Sequence, residues 1–298
     1  MESSKRETSI SSRNTSPLHD GVCEKFPAGP VIPLICQDNL LRDNNRTNAF
    51  VKSVSETVRE DDIVIDLGAG VGLLSFAAVD KAKKVYAVEI DHAVFDFGKK
   101  LSETMGLADK IEWILGDARY VKIPEAPDLV ICEMLDTALM SELQVPVMNR
   151  VIHDSPNHDM VILPKRTETS VHLLESSFFN FQGIEFRLPR FEMQKSRRWS
   201  RELSEPQTYH RVSYREFNNP VVKAVIRVKV TNKGVLNAIR LESHTSLDEH
   251  TLVGPSDWFC PPVVFPVNPI DVSENQTVSL EIGYEMGQGF DSVTLQAN

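Results

Sequence analysis

The chain has 298 residues, 41% of them hydrophobic and 25% charged, which is the composition of an ordinary folded protein with a sizeable core. Its formal net charge of −10 argues against bulk nucleic-acid binding and favours cationic partners. No apolar run approaches the roughly 18 residues that a membrane span needs, so no membrane partner is expected.

The N-terminal residues 1–25 are polar and rich in serine, which predicts a disordered tail rather than a signal peptide. The four cysteines are scattered and form no CxxC pair. That pattern argues against a disulfide framework or a zinc site and is typical of a reducing, cytoplasmic location. The histidines lack the spacing of metal ligands, so no metal is expected.

Residues 37–58 carry apolar side chains at helical spacing, with an Asn-rich polar turn in the middle. From residue 62 onward, short apolar runs alternate with helical patterns. These runs lie at residues 63–65, 85–88, 111–115 and 129–131. Strands and helices in this alternation predict βαβ units and a parallel sheet that is covered on both faces.

A further helix is predicted after the fourth of these strands. Leu139, Leu143, Val147 and Val151 recur four residues apart, and Pro146 must lie in the first turn of this helix or kink it.

The pattern changes after Pro164. Apolar and polar residues alternate over residues 224–230 and 278–284, and an Asn-Lys-Gly turn at 232–234 leads into another strand. A period of two over long runs predicts antiparallel strands with one buried face. We therefore expect an α/β domain with N-terminal helices over residues 26–164 and a mostly antiparallel β domain over residues 165–298.

A glycine-rich loop follows the first predicted strand, in the sequence DDIVIDLGAGVG. Gly68, Gly70 and Gly72 allow a tight turn and a close approach of a ligand to the backbone. Glu89 ends the second strand about 20 residues later, where a carboxylate can accept both hydroxyls of a ribose. Together they predict a nucleoside site, which NAD would also satisfy; the alternative is a tight turn beside solvated acids.

Two further strand ends refine this prediction. Asp66 stands immediately before the glycines, which is more typical of S-adenosylmethionine enzymes because no pyrophosphate has to be held there. The third strand ends in LGDARY, which places Asp117, followed by Ala118, near the edge of an adenine ring. Three strand ends thus point to one ligand.

The fourth strand ends in CEMLDTALMSE, which crowds Glu133, Asp136 and Glu142 into one short segment. With the glycine loop, this segment resembles class I S-adenosylmethionine-dependent methyltransferases, and more closely the double-glutamate loop of protein arginine methyltransferases. In that family one glutamate ends the fourth strand and a second follows nine positions later, as Glu142 follows Glu133 here.

Other segments extend the resemblance from about residue 37 to the C-terminus. LLRDNNRT resembles the family's N-terminal helix, whose arginine binds the carboxylate of the methionine moiety; that role falls to Arg46. ILPKRTETSVHLLE resembles the crossing into the family's β-barrel. SDWFCPPVVFPV resembles a loop that carries Thr-His-Trp in the family, which gives Trp258 a substrate-binding role.

The resemblance implies a Rossmann-like methyltransferase domain, a β-barrel-like domain and S-adenosylmethionine as cofactor. It also implies an arginine-containing protein as substrate and allows a homodimer. A guanidinium is planar and permanently charged, so two carboxylates, Glu133 and Glu142, can hold it in a fixed plane. Catalysis would then consist mainly of aligning the nitrogen with the methyl group, with Asp136 adding a third charge that favours a cation.

The chain departs from the family at several points. Met134, Leu135 and Asp136 replace an aromatic residue and a glycine between the glutamates, and Ser256-Asp257-Trp258 lacks the histidine. KFPAGPVIP replaces a tyrosine-rich motif, and the segment between residues 180 and 215 shows no clear dimerisation arm.

Two other functions stay open. One is an RNA methyltransferase, because the segment FRLPRFEMQKSRRWSR interleaves cations with Phe186, Phe191 and Trp199; a solvated basic loop is the alternative explanation. The other is a non-catalytic module that binds S-adenosylmethionine without transferring its methyl group.

Overall fold

The computed structural model describes residues 32–298. The expectations for residues 1–25, and for most of the KFPAGPVIP segment, lie outside these residues. Within residues 32–298, no helix combines the length and the apolar character needed to cross a membrane.

Two helices open the described chain, α1 (Leu34–Arg42) and α2 (Asn44–Thr57). The residue between them, Asp43, ends the first helix and caps the second by accepting a hydrogen bond from the backbone N–H of Arg46 at 3.2 Å. A short polar side chain at this position satisfies one of the unpaired N–H groups of the first helical turn. The predicted polar break therefore separates two helices.

Five parallel strands form the first sheet, in the order β3-β2-β1-β4-β5. The strands are β1 (Ile63–Leu67), β2 (Lys84–Glu89), β3 (Ile111–Leu115), β4 (Leu129–Cys132) and β5 (Val161–Leu163). The helices between them are α3 (Leu73–Ala78), α4 (His92–Thr104) and α5 (Gln144–Asp154). Strands β1 and β4 are buried along their whole length, which confirms the prediction of a covered parallel sheet.

The helix predicted to contain Leu139 begins later than the sequence pattern suggests. Leu139 belongs to a separate 3₁₀ helix (Thr137–Leu139), in which Ala138 and Leu139 have φ angles of 59° and 57°. These left-handed conformations break the helical path, so α5 begins only at Gln144. Pro146 then lies in the first turn of α5, where its missing N–H costs nothing.

The remaining strands are antiparallel to their neighbours. They are β6 (Arg166–Ser176), β7 (Phe179–Phe181), β8 (Ile184–Phe186), β9 (Arg190–Phe191), β10 (Ser200–Glu202), β11 (Gln207–Ser213), β12 (Val221–Lys229), β13 (Gly234–Ser246), β14 (Leu252–Val253), β15 (Val263–Val272), β16 (Thr277–Glu285) and β17 (Thr294–Ala297). A seven-stranded sheet follows the path β10-β6-β13-β15-β9, with β11 on β6 and β14 on β13. A three-stranded sheet has the order β12-β16-β17, and β7 pairs with β8 alone.

The turn at residues 232–234 leads into β13 as predicted, but β12 and β13 lie in different sheets. Buried residues of the parallel sheet and of the antiparallel sheets form one continuous hydrophobic cluster. The predicted boundary at residues 164/165 falls between β5 and β6, and the division into two domains stays a prediction.

Candidate active site

A cleft opens at the carboxyl edge of the parallel sheet, under α1 and the start of α2. Its empty space, including open solvent at the mouth, is about 1070 Å³. Its lining includes nine residues that the sequence analysis singled out: Arg46, Asp66, Gly68, Gly70, Glu89, Asp117, Ala118, Glu133 and Glu142.

The glycine loop connects β1 to α3. Gly68, Gly70 and Gly72 all have positive φ angles, a backbone conformation that glycine adopts without strain. At Gly68 a Cβ atom would stand 2.7 Å from Cγ of Met134, so the loop also packs against the carboxylate segment after β4. Gly72 does not line the cleft; it precedes the first turn of α3.

Glu89 ties the end of β2 to the glycine loop. Its Oε2 accepts the N–H of Gly70 at 2.9 Å, and its Oε1 accepts the N–H groups of Ile90 and Asp91 at 2.8 Å each. Burial raises the pKa of Glu89, and these three backbone hydrogen bonds oppose that rise. The carboxylate is therefore held in one orientation at the edge of the cleft.

Asp66 is buried at the end of β1 and accepts a hydrogen bond from Oγ of Ser75 at 2.6 Å. The pKa of Asp66 is raised to about 7, mainly by burial and to a smaller extent by the negative charges of Glu133 and Glu89, against the opposing hydrogen bond from Ser75. The sequence predicted Asp66 at the cleft but gave no sign that Ser75 would hold it.

Asp117 follows β3 and is paired with a neighbour that the sequence analysis did not consider. Arg119 donates to both of its carboxylate oxygens, with Nη2 2.6 Å from Oδ2. The carbonyl oxygen of Ala118 accepts from Nη1 of Arg150 at 3.0 Å. Arg150 lies on α5, so this helix holds the third strand end in place.

Arg46 points from α2 into the cleft and forms a buried ion pair with Glu133. Its guanidinium lies 5.6 Å from the ring centre of Phe50 and 5.9 Å from that of Phe259, so aromatic faces flank the cation. Its Nε is buried and has no hydrogen-bond partner among the described residues. One donor of Arg46 thus remains for a ligand.

The segment after β4 brings three carboxylates together. Burial raises the pKa of Glu142 well above its usual range, and the charges of Asp136 and Glu133 add to this rise. Burial also raises the pKa of Glu133, against the opposing effect of Arg46. Such groups gain from binding a cation, because a positive charge favours their ionised forms.

Asp136 does not line the cleft, although it adjoins Glu142. Its Oδ2 accepts the N–H of Ser141 at 2.8 Å, whereas Oδ1 is buried without a hydrogen-bond partner in the part of the chain that the structure describes. Burial raises its pKa to about 7. Sequence analysis placed Asp136 in the substrate site; the structure places it behind Glu142.

Gln144 fixes the carboxylate segment from within. Its amide Nε2 donates to the carbonyl of Cys132 at 2.7 Å, and its Oε1 accepts the N–H of Met134 at 2.9 Å. The β domain holds the other side, since Ser243 Oγ accepts the N–H of Ala138 at 2.8 Å. The sequence analysis missed Gln144, although its position two residues after Glu142 is a usable signal.

The loop that resembles Thr-His-Trp contacts the cleft in an unpredicted way. Ser256 donates its hydroxyl hydrogen to Asp43, the residue that caps α2. Asp257 instead accepts the N–H of Gln194 at 2.8 Å. Trp258 is 53% exposed and does not line the cleft, so the structure does not bring it together with the predicted clamp.

Most of the basic segment is engaged within the protein. Arg187 donates to the backbone of Asn237 at 3.0 Å. Arg190 donates to two serines at 2.9 and 3.0 Å. Arg197 lies 3.7 Å from Glu242, and Arg201 forms an ion pair with Glu175. These arginines form ion pairs with glutamates or donate hydrogen bonds within the antiparallel part of the chain. Such contacts are expected of a segment that stabilises the fold.

Similarity to known proteins supports a methyltransferase. The family model described as the TRM5/TYW2 methyltransferase domain matches residues 44–169. The chain is 32% identical over 256 residues to the Uncharacterized protein MJ1452 of Methanocaldococcus jannaschii, covering 86% of this chain and 93% of that protein. Over 133 residues it is 38% identical to the Probable histone-arginine methyltransferase 1.4 of Arabidopsis thaliana, covering 43% of this chain and 25% of that protein.

The structural comparison extends over most of the chain. The structure of the Trypanosoma brucei PRMT1 enzyme-prozyme heterotetrameric complex with AdoHcy matches with a TM-score of 0.72 at 15% identity. The match covers 88% of this chain and 96% of that chain. At this identity the likeness is one of fold, and it confirms the predicted α/β domain followed by antiparallel sheets.

The parallel sheet, its glycine loop and these similarities define a divergent class I S-adenosylmethionine-dependent methyltransferase, with the architecture of protein arginine methyltransferases. S-adenosylmethionine is its cofactor. The chain belongs to the same family as the MJ1452 protein of Methanocaldococcus jannaschii.

The cleft suits this cofactor chemically. The orphaned Nε of Arg46 is a donor for a carboxylate, and the oriented carboxylate of Glu89 is an acceptor for hydroxyl groups. Arg46 is the only lysine or arginine among the described residues that line the cleft. When bound, the cofactor supplies an activated methyl group.

Proposed function

We propose that this enzyme transfers the methyl group to a guanidinium nitrogen of an arginine in a protein, with Glu133 and Glu142 as the clamp for the cation. The observation that supports this proposal is a charge imbalance. The carboxylates of Glu133 and Glu142 line the cleft with that of Asp136 behind Glu142, whereas the only lysine or arginine among the described lining residues is Arg46. A second guanidinium would relieve this imbalance, whereas a neutral nucleobase would not.

The clamp acts by position and charge. Carboxylates at the two ends of the segment can each accept charge-assisted hydrogen bonds from the substrate, which fixes the guanidinium plane. The nitrogen left between them faces the cofactor side of the cleft, because Glu133 and Glu142 line the same cavity as the glycine loop. The protein itself forms no covalent bond in this transfer. Alignment of the nitrogen with the methyl group therefore supplies most of the rate advantage.

The donor side of the cleft divides into roles that are part of the same proposal. Arg46 binds the carboxylate of the methionine moiety through its free Nε, with Asp66 and the glycine loop below it. Glu89 accepts the ribose hydroxyls. Asp117 and Ala118 border the adenine ring, with Asp117 held by Arg119.

Residues 26–164 form the donor-binding domain in this proposal, and residues 165–298 form the β domain that positions the substrate. Asp136 contributes negative charge to the substrate site indirectly, through its electrostatic effect on Glu142. We assign Trp258 to the outer path of a bound polypeptide, because its exposed ring lies beside Asp43 and Asp257 at the surface.

Transfer from labelled S-adenosylmethionine to protein and to RNA tests the proposal. An arginine-rich protein, the same protein with every arginine replaced by lysine, and bulk tRNA are offered separately. Label in the arginine-rich protein alone is the expected result. Label in the lysine version would remove arginine specificity, and absence of label in all three would favour the non-catalytic module.

RNA is the second candidate because the matching family model carries the name TRM5/TYW2. The engaged arginines of the basic segment and the net charge of −10 weigh against it. If tRNA alone became labelled, with transfer falling steeply as salt increased, the RNA function would replace the arginine function.

A homodimer is the final part of this proposal. Every residue of strands β7 and β8 is exposed, including Phe179, Phe181, Ile184 and Phe186. An isolated two-stranded hairpin with such an apolar surface is marginal in water and gains from being covered. Sedimentation equilibrium should show a dimer that Phe181→Glu dissociates and that Lys223→Glu, at an exposed position of β12, does not.

A further inference from the structure

Transfer of a methyl group to a guanidinium nitrogen requires a place for the proton that this nitrogen loses. The family's histidine loop is replaced here by Ser256 and Asp257, and Asp257 is turned toward Gln194. Asp66 is bonded to Ser75 beneath the cofactor side, and Glu133 is paired with Arg46. The carboxylates that remain on the acceptor side are Asp136 and Glu142.

The backbone after β4 brings these two residues close enough for the charge of Asp136 to act on Glu142. The left-handed conformations of Ala138 and Leu139 fold the segment back, so that Oδ2 of Asp136 accepts the N–H of Ser141, the neighbour of Glu142. The other oxygen of Asp136, Oδ1, is buried and has no hydrogen-bond partner within residues 32–298. A buried carboxylate oxygen without a partner is costly, and a shared proton is one way to remove that cost.

The groups around this pair come from several elements. Glu142 is influenced by Asp136, Glu133 and Arg46. Asp136 acts on Cys260, on Tyr214 after β11 and on Tyr284 of β16. Burial raises the pKa of each of these three neutral side chains, so none of them supplies a counter-charge at neutral pH.

We propose that Asp136 and Glu142 form a coupled carboxyl pair that receives the proton from the methylated nitrogen, with Glu142 touching the guanidinium and Asp136 acting behind it as a positioning residue. This inference rests on the proposed arginine function. The nitrogen forms a bond to the methyl carbon, and the electron pair of the broken sulfur–carbon bond stays on sulfur. The nitrogen's N–H bond breaks, and the pair holds that proton until solvent takes it.

Two like charges side by side titrate as a unit, and each disfavours the ionised form of the other. Asp136→Asn keeps the size of the side chain and an acceptor for the Ser141 N–H but removes the charge. Glu142 would then ionise more easily and become a weaker base. The rate of transfer would reach its plateau at lower pH, and the plateau itself would be lower.

The test is single-turnover transfer to an arginine peptide as a function of pH, with S-adenosylmethionine bound beforehand. The Asp136→Asn variant should shift the midpoint of the rate profile to lower pH by about one unit or more. Its plateau should fall by roughly tenfold or more, while cofactor affinity stays unchanged. Asp62→Asn, at another aspartate that accepts a backbone N–H and lies before β1 outside the cleft, is the matched control and should behave like the wild type.

A purely structural role for Asp136 would lower the rate or the stability without moving the midpoint, and an unmoved midpoint overturns the coupled pair. That outcome leaves the arginine function intact, since the wild type still methylates the peptide. A wild-type enzyme that transfers no methyl group to arginine at any pH would overturn the proposed function and the pair with it.

Discussion

The hydroxyl of Ser256 donates to the carboxylate of Asp43, and this contact links the loop between β14 and β15 to the helix that carries Arg46. Asp43 caps that helix through the N–H of Arg46. The oxygen of Ser256 in turn accepts the N–H groups of Trp258 and Phe259 at 3.0 and 2.8 Å. Phe259 then packs beside the Arg46 guanidinium. This loop therefore contacts both the helix and the guanidinium to which we assign the cofactor's carboxylate.

Removing this contact should weaken cofactor binding. Ser256→Ala loses a hydrogen bond to a charged group, which contributes about 1.5 kcal/mol or more. A loss of this size in the free energy of cofactor binding corresponds to a roughly tenfold lower affinity. Ser256→Thr keeps the hydroxyl and should retain most of the affinity. Titration calorimetry with S-adenosylmethionine measures both, and equal affinity for all three proteins would show that the contact does not position Arg46.

Arg46→Ala separates the amino-acid part of the cofactor from its nucleoside part. If the free Nε binds the carboxylate, this variant should lose affinity for S-adenosylmethionine by roughly tenfold or more. Binding of methylthioadenosine, which lacks the amino-acid part, should hardly change. Equal weakening of both ligands would mean that Arg46 organises the whole cleft rather than one end of the cofactor.

Glu89→Gln tests the ribose site with the smallest change in shape. Charge-assisted hydrogen bonds contribute about 1.5–3 kcal/mol each, so affinity for S-adenosylmethionine should fall roughly tenfold or more. Glu112→Gln, on the adjacent strand β3 and outside the cleft, is the control. A folded Glu89→Gln protein with wild-type affinity would exclude Glu89 as the ribose ligand.

The buried carboxyl of Asp66 should make stability depend on pH. Its folded-state pKa of about 7 lies above the ordinary aspartate value of 3.8, so its contribution is fully present below about pH 4 and is lost as the pH rises toward 7. His172, whose pKa burial lowers to about 4, acts in the opposite direction over much of this range. The difference between variants therefore isolates Asp66.

Asp66→Asn should accordingly lose less stability than the wild type between pH 5 and pH 8. The difference in free energy of unfolding, variant minus wild type, should be higher at pH 8 than at pH 5 by on the order of a few kcal/mol, which follows from the pKa shift alone. Urea unfolding at both pH values measures it. If the free energy of unfolding changed equally with pH in the two proteins, Asp66 would not be a buried carboxyl group with a raised pKa.

The elements of the parallel sheet were predictable because their patterns are local. Buried strands read as short apolar runs, and glycines between a strand and a helix mark a turn that needs positive φ angles. The start of α5 was not predictable, since Leu139 matches the helical spacing and only its left-handed backbone excludes it. Tertiary contacts to the β domain, such as that of Ser243, hold this conformation.

The pairing of side chains in the site was less predictable than their positions. The sequence placed Arg46 and Glu133 in one cleft but not in contact with each other. Nothing local to Trp258 shows that its ring faces solvent while Phe259 faces the site. Such partners lie far apart in the chain, and only the fold brings them together.

The ion pair between Arg46 and Glu133 also decides which variant tests the clamp. Glu133→Gln changes the partner of a cofactor-binding residue, so it should lower both cofactor affinity and transfer. Among the described residues Glu142 forms no ion pair with Arg46, although the two charges interact, and Glu142→Gln keeps the size of the side chain while removing its charge. Asp136 and Glu142 act as a unit, so combining Asp136→Asn with Glu142→Gln should be little worse than Glu142→Gln alone.

The most direct measurement is therefore made on Glu142→Gln, with cofactor binding and methyl transfer determined on the same preparation. S-adenosylmethionine affinity should stay within about twofold of the wild type, because this residue holds the acceptor. Transfer to an arginine-containing protein should fall by about two orders of magnitude, the scale of losing one preorganised electrostatic contact, while Glu103→Gln, at an exposed position of α4, changes neither quantity. Wild-type transfer to arginine by Glu142→Gln would contradict the clamp.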